Sequence, residues 1–193
     1  IKSTFGPVNF LINGAGGNNP RATCDNEIMT PDAEVAKSFF DLDTDGVGFV
    51  FNLNFLGTLI PTQVFARDMA KKEGTSIINI SSMNSFRPLT KIPAYSGAKA
   101  AISNFTQYLA VYFAKAGIRV NAIAPGFFVT NQNRDLLMNP DGSYTDRSKK
   151  ILNGTPMKKF GVPEDLLGGL LFLLSKEAAG FITGIVLPID GGF

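Results

Sequence analysis

The sequence predicts an α/β fold built on a doubly wound parallel sheet with helices on both faces. Three observations carry that prediction. Short apolar runs alternate with longer segments of helical periodicity along the chain. No two-residue hairpin turn joins any pair of short runs, so the strands connect by crossovers, which are right-handed in parallel sheets. Each short run ends in a turn rich in glycine, serine or proline, at 13–17, 81–92, 125–133 and 190–192. Ligands of such sheets bind beyond the carboxyl ends of the strands, which places these turns on one rim.

The elements follow in order. Val8 to Asn13 reads as a buried strand stopped by Asn13-Gly14-Ala15-Gly16-Gly17. Residues 18–45 are polar, carry Pro20 and Pro31, and read mostly as loop. Val50, Phe51, Phe55, Leu59, Val64, Phe65 and Met69 suit a long helix over about 46–72, with Pro61 expected to bend or break it. Ser76 to Ile80 is the next strand. Pro93 opens a helix to about Ala116, where Gly117 is a natural stop. Ile118 to Ala124 is a third strand, ended by Pro125-Gly126. Residues 127–160 form a polar excursion. Pro163-Glu164-Asp165 starts a helix carrying Leu166 to Leu174, and Ile185 to Ile189 is the last strand.

Composition narrows the function. An apolar fraction of 45% over 193 residues suffices for one packed core, which argues against general disorder. The net charge of +2 comes from scattered basic residues and gives no reason to invoke nucleic acid or an anionic membrane. The longest apolar-plus-glycine run, Leu166 to Leu174, is far short of the roughly 18 residues of a membrane span. The single cysteine, Cys24, favours a reducing compartment and a cytoplasmic location. The chain has no histidine, so proton chemistry falls to tyrosine, lysine or carboxylates, and no metal site is expected. A buried strand only a few residues after Ile1, with no initiator methionine, reads as a single domain over 1–193 that is incomplete at its N-terminus.

Tyr95 and Lys99 stand four apart at a helix start, on one face. A neighbouring ammonium and the positive end of the helix dipole both favour a phenolate, which would bring Tyr95 toward neutral pH. Ser82 follows a strand, and 12 residues of loop separate it from Tyr95. Its hydroxyl suits stabilisation of charge developing on a carbonyl oxygen. Ser81 competes for that role, since one of two adjacent serines can simply satisfy the turn backbone.

With these residues in place the chain resembles the classical short-chain dehydrogenase/reductase family. Asn13-Gly14-Ala15-Gly16 resembles the family's Asn-Asn-Ala-Gly element, and Asn54-Phe55-Leu56-Gly57 its helix segment with an active-site asparagine. Ile80-Ser81-Ser82 resembles the serine strand, and Tyr95-Ser96-Gly97-Ala98-Lys99 the Tyr-x-x-x-Lys motif. Arg119 to Gly126, Thr183-Gly184 and Asp190-Gly191-Gly192 match the closing elements in the same order. The resemblance implies a Rossmann-type, three-layer domain and an NAD- or NADP-dependent interconversion of a secondary alcohol and a ketone. Tyr95 would be the acid/base, Ser82 would polarise the substrate oxygen, Lys99 would lower the Tyr95 pKa and hold the nicotinamide ribose, and Asn54 would anchor a water. Asn13, Gly14, Ala15, Gly16, Pro125, Gly126 and Thr130 would line the cofactor. A mid-helix Asn54 can also merely bond a neighbouring carbonyl, and 13–16 can be an ordinary turn.

The family's Gly-x-x-x-Gly-x-Gly turn after its first strand is not in this sequence, so the first strands are expected to lie outside it. Asn84, Arg87, Asn131, Gln132, Asn133 and Arg134 make the rim unusually polar, with 127–160 as a substrate-binding lid. Amides, hydroxyls and a guanidinium suit a polyhydroxylated acid. Asn-Gly-Ala-Gly-Gly-Asn with Ser-Met-Asn further resembles family members described as D-mannonate oxidoreductases, which would interconvert D-mannonate and D-fructuronate. The alternatives are a 3-oxoacyl carrier-protein reductase and an inactive member used as a scaffold. The apolar surfaces of helices 46–72 and 93–116 point to a homo-oligomer, a dimer or tetramer.

Overall fold

Ile77 and Ile78 are adjacent on a strand, so they point to opposite faces, yet both are fully buried. Only a sheet covered on both sides accommodates that pair. In the computed structural model, which describes residues 2–31, 36–131 and 133–193, the sheet has four parallel strands in the order β1-β2-β3-β4. They are β1 (Phe10–Asn13), β2 (Ser76–Ile80), β3 (Arg119–Pro125) and β4 (Val186–Ile189). Asn13 pairs with Asn79, Asn79 with Ala122 and Ala122 with Val186, so all four strands end along one rim.

A short α1 (Lys2–Phe5) precedes β1. α2 (Thr44–Phe51) is capped by Asp43, whose carboxylate accepts from the Gly46 amide at 2.6 Å. A π-helical turn over Asn52–Leu56 follows, and α3 (Gly57–Met69) continues through Pro61. The helix is therefore irregular one turn before Pro61 rather than broken at it. A proline crowds the turn behind it, and an inserted π turn absorbs that crowding. α4 (Pro93–Tyr112) starts with proline and is closed by Gly117 at φ +74°. Two helices the sequence pattern did not indicate, α5 (Arg134–Leu137) and α6 (Asp146–Gly154), lie within the 127–160 excursion. α7 (Leu167–Leu174) and α8 (Lys176–Ala179) lead to β4.

On one sheet face Ala66 and Met69 of α3 and Leu109 and Ala110 of α4 meet Ile77 and Val120. On the other, Leu173 of α7 meets Ile78 and Ile123. Each of these large side chains contributes about 1.5–3 kcal/mol by leaving water. Arg119 fixes the end of α7 by donating to the Leu173 carbonyl at 2.7 Å and the Leu174 carbonyl at 3.0 Å. The continuous helix Thr44–Met69 is long and apolar enough to cross a membrane by length and composition alone. In this fold it lies against β1 and α4. The 127–160 excursion has a small core of its own, Leu137, Ile151 and Phe160.

Candidate active site

β2 delivers two serines to the rim, and the alternation of the strand separates their roles. The Ser81 hydroxyl bonds the Lys99 carbonyl at 3.1 Å and the Ser103 hydroxyl at 2.7 Å, so it is spent on α4. Ser82 caps the following turn, where its hydroxyl accepts from the Asn84 amide at 3.2 Å. The same hydroxyl lies close enough to the Tyr95 phenol to favour its ionised form. Tyr95 rests on Ala22, Val50, Ala94 and Ala98, a cluster that joins α2, the 18–45 segment and the start of α4.

Lys99 is 3% exposed and donates from Nζ to the Ile80 carbonyl at 2.8 Å. The same nitrogen lies 5.6 Å from the centre of the Tyr95 ring. Burial pushes the Lys99 ammonium down to about 8. For Tyr95 the sequence expectation is corrected. Burial raises the phenol above its ordinary value, and the opposing influence is the Ser82 hydroxyl rather than Lys99. Seating the ring in an apolar wall takes its charged form out of water, and that cost exceeds what the Ser82 hydroxyl returns.

Asn54 sits in the π turn with no exposed surface. Its amide nitrogen donates to the Gly17 carbonyl at 2.7 Å and the Val50 carbonyl at 2.8 Å, and its oxygen accepts from the Gly17 amide at 3.3 Å. It therefore does bond a carbonyl of its own helix, and it also staples the 13–17 turn. Gly16 lies where Asn54 and Lys99 converge. A Cβ there would come within 2.7 Å of Asn54 Oδ1 and 3.0 Å of Lys99 Nζ. Only glycine permits that approach.

The side chain of Asn13 turns inward from the 13–17 turn. Its amide nitrogen donates to Thr62 Oγ1 at 3.1 Å and Asn79 Oδ1 at 2.9 Å, and Asn79 in turn donates to Thr106 at 2.9 Å. Asn13 is buried because it faces a polar seam between sheet and helices, so its side chain ties β1 to α3. Gly14, Ala15 and Gly16 are exposed at the rim. Glycine at 126 is required by the next strand's turn, since a Cβ would fall 2.6 Å from the Asp190 backbone. Thr130 is exposed, and its amide donates to Asn133 Oδ1 at 2.8 Å. Asn133 also bonds the Phe128 carbonyl, so its amide holds the excursion's backbone. Asn84 is buried near Ser82, whereas Arg87, Asn131 and Arg134 are exposed, and Gln132 lies outside the described residues.

Sequence reasoning missed the carbonyls of Ile80, Val50 and Gly17, which hold Lys99 and Asn54. Backbone groups leave no signature in residue type. A cavity of about 220 Å³ opens at the ends of β3 and β4, lined by Phe127, Met157 and Asp190 among others, and none of Ser82, Tyr95 or Lys99 borders it. Among the described residues, no group of three or more His, Cys, Asp or Glu side chains gathers as a metal site would need.

The cradle at Gly16 and the inward-facing ammonium of Lys99 fit the nicotinamide end of a dinucleotide. The comparisons agree. The family model described as enoyl-(acyl carrier protein) reductase matches residues 1–193. An uncharacterized oxidoreductase of Haemophilus influenzae is 64% identical over 100% of this chain and 68% of its own length. A 2-dehydro-3-deoxy-D-gluconate 5-dehydrogenase of Dickeya dadantii is 36% identical over 98% of this chain and 66% of its own. A crystal structure of a Haemophilus influenzae protein with bound NAD, proposed there to be a D-mannonate oxidoreductase, superposes with a TM-score of 0.94. It shares 64% identity over 100% of this chain and 69% of that one. Related structures hold NAD or NADP. The chain belongs to the short-chain dehydrogenase/reductase family, NAD(P)-dependent oxidoreductases acting on CH–OH groups.

Proposed function

We propose that the enzyme interconverts a secondary alcohol and a ketone on a sugar acid of the D-mannonate/D-fructuronate kind. The single observation that carries the reaction is the convergence of Ser82, Tyr95 and Lys99 at the strand ends. The sugar-acid choice draws support from the related dehydrogenases that act on acids of this class and from a rim bearing Arg87, Asn131 and Arg134. The nicotinamide, when bound, supplies or accepts the hydride. Tyr95 gives or takes the proton at the substrate oxygen, and Ser82, beside Tyr95, holds that oxygen.

Lys99 holds the nicotinamide ribose and keeps a positive charge beside the phenol. Asn54 fixes the 13–17 turn that faces the same ammonium and anchors a water on the route from Lys99 to solvent. Gly14, Ala15 and Gly16, with Pro125, Gly126 and Thr130, line the cofactor, while Asn13 braces that lining from behind. Residues 127–160 act as the lid over a single domain. The enzyme assembles as a homo-oligomer through α2–α3 and α4, which expose Ile60, Val64, Tyr108, Val111 and Tyr112, and as a tetramer through Leu171, Phe172 and Phe181. It works in the cytoplasm, where its one thiol, Cys24, stays reduced.

The test is a nicotinamide-absorbance assay offering D-fructuronate, related keto sugar acids and a 3-oxoacyl thioester. Turnover of a sugar acid at least about 100-fold better than of the thioester is expected. Brisk thioester turnover with no sugar acid accepted would overturn the substrate assignment in favour of a carrier-protein reductase.

A further inference from the structure

Among the described residues, two buried side-chain polar atoms have no hydrogen-bond partner, and both flank the reacting groups. They are Asn84 Oδ1 and Ser96 Oγ. Asn84 is two residues past Ser82 and Ser96 is next to Tyr95, and each residue is 4% exposed. The neighbouring polar groups are all engaged: Ser81 with Lys99 and Ser103, Asn79 with Thr106, Lys99 with Ile80.

The helix spacing indicates where the two orphans point. Ser96, Lys99 and Ser103 stand at i, i+3 and i+7, on one face of α4. The Lys99 carbonyl and the Ser103 hydroxyl meet Ser81 at the end of β2. One turn nearer the helix start, Ser96 lies opposite the chain that leaves Ser81, which is the turn Met83–Ser85 packed against α4. The Asn84 backbone N–H donates to Ser82 Oγ at 3.2 Å, which fixes the base of the Asn84 side chain beside Ser82.

The two atoms ask for complementary things. An amide oxygen only accepts, whereas a serine hydroxyl both donates and accepts. A carboxylate has no proton for Asn84, and an ammonium would place a second cation in the wall that already buries Lys99. One O–H group satisfies both by donating to Asn84 and accepting from Ser96. Orphaned polar atoms in a buried wall are costly, and native proteins keep them where something else completes the bond.

We infer that Asn84 and Ser96 form a hydroxyl-binding subsite beside Ser82 and Tyr95. In the sugar-acid reading, on which this step rests, the hydroxyl belongs to the carbon next to the reacting one. A bound water is the other source of the same O–H.

The experiment compares the enzyme with its Ser96→Ala and Asn84→Leu variants on a hydroxylated keto acid and on the analogue deoxygenated beside the ketone. Crystal structures and melting temperatures are obtained for each protein. A substrate hydroxyl gives a preference for the hydroxylated acid of at least about 10-fold in kcat/KM, which both variants reduce below threefold through KM. A bound water gives no such preference, but the crystal structure then shows a water within about 3.2 Å of both atoms, lost in either variant. Where the hydroxyl is the substrate's, melting temperatures of the free enzyme hold or rise, because each substitution removes an orphan, and where it is a water they fall, because each substitution leaves the other atom unpaired. Neither a hydroxyl preference nor a shared water, or a crystal structure in which Asn84 and Ser96 find protein partners, overturns the subsite. Failure of the sugar-acid reading is visible separately, as no turnover of any sugar acid. The hydroxyl preference is then read on whichever hydroxyketone the enzyme accepts.

Discussion

The wall formed by residues 81–99 and the excursion formed by 127–160 belong to the same rim but are built in opposite ways. Ser81, Ser82, Asn84, Ser96 and Lys99 are each no more than 8% exposed and are seated on the end of β2 and the start of α4. Thr130, Asn131 and Arg134 are exposed, on a segment held by three buried side chains, Leu137, Ile151 and Phe160. Proton transfer needs placement to a fraction of an ångström, which a sheet and a buried helix face supply. A covering segment with its own small core can shift as a unit without disturbing that placement.

Substitutions on the two sides should therefore differ in kind. The largest effect is expected from Tyr95→Phe, which removes the hydroxyl proposed to carry the proton while keeping the ring among Ala22, Val50 and Ala98. Turnover should fall by about 10³-fold or more, with dinucleotide binding by fluorescence titration nearly unchanged. Wild-type rates would remove Tyr95 from its role.

Gly16→Ala comes next. Its methyl would press on Asn54 Oδ1 and Lys99 Nζ at 2.7 and 3.0 Å, so both must move. A loss of about 10²-fold in kcat is expected, together with a lower melting temperature. An active, equally stable variant would show that the cradle tolerates a side chain.

Lys99→Met separates chemistry from stability. Burial holds the ammonium at about 8 against 10.5 in the unfolded chain, so between those values the folded state binds fewer protons and its stability rises with pH. Below pH 8 the full penalty of the buried charge is present, roughly 3 kcal/mol at about 1.4 kcal/mol per pH unit. Above pH 10.5 it is gone. Methionine carries no such charge, at the cost of the bond to the Ile80 carbonyl, about 1 kcal/mol. The inactive variant should therefore be the more stable protein at pH 7 by chemical denaturation, and that advantage should vanish by pH 10.5. A pH-independent difference would contradict the buried-ammonium account.

The smallest catalytic effect is expected on the excursion. Ile151→Ala loosens its core and should raise KM several-fold, leave kcat within about twofold, and speed hydrogen exchange over 127–160 alone. A kcat loss as deep as that of Gly16→Ala would mean that the excursion and the wall form one rigid unit.

The comparison also explains what could be read in advance. The strands, the helix ends at Pro93 and Gly117, and the set Ser82, Tyr95 and Lys99 are local features, fixed by period, by turn residues and by spacing within one helix. The direction of the Asn13 amide was not legible, because it follows from Thr62 and Asn79 far away in sequence. The sequence preferred Ser82 over Ser81, and the structure adds the reason, since Ser103 and the Lys99 carbonyl take up Ser81. The rise of the Tyr95 pKa was hidden for a similar reason. Charge neighbours are visible in a sequence, but the depth of burial that raises the phenol is not.

By itself the sequence determined the alternation of strands and helices, the rim formed by the strand ends, and the side chains proposed to carry the proton. Hydrophobic period and residue spacing act over a few positions and need no partner to be read. Only the tertiary structure decided where Asn54 is stapled, why Gly16 admits no side chain, and that Asn84 and Ser96 are left without partners. Those outcomes depend on which distant groups reach hydrogen-bond distance, and only packing sets that.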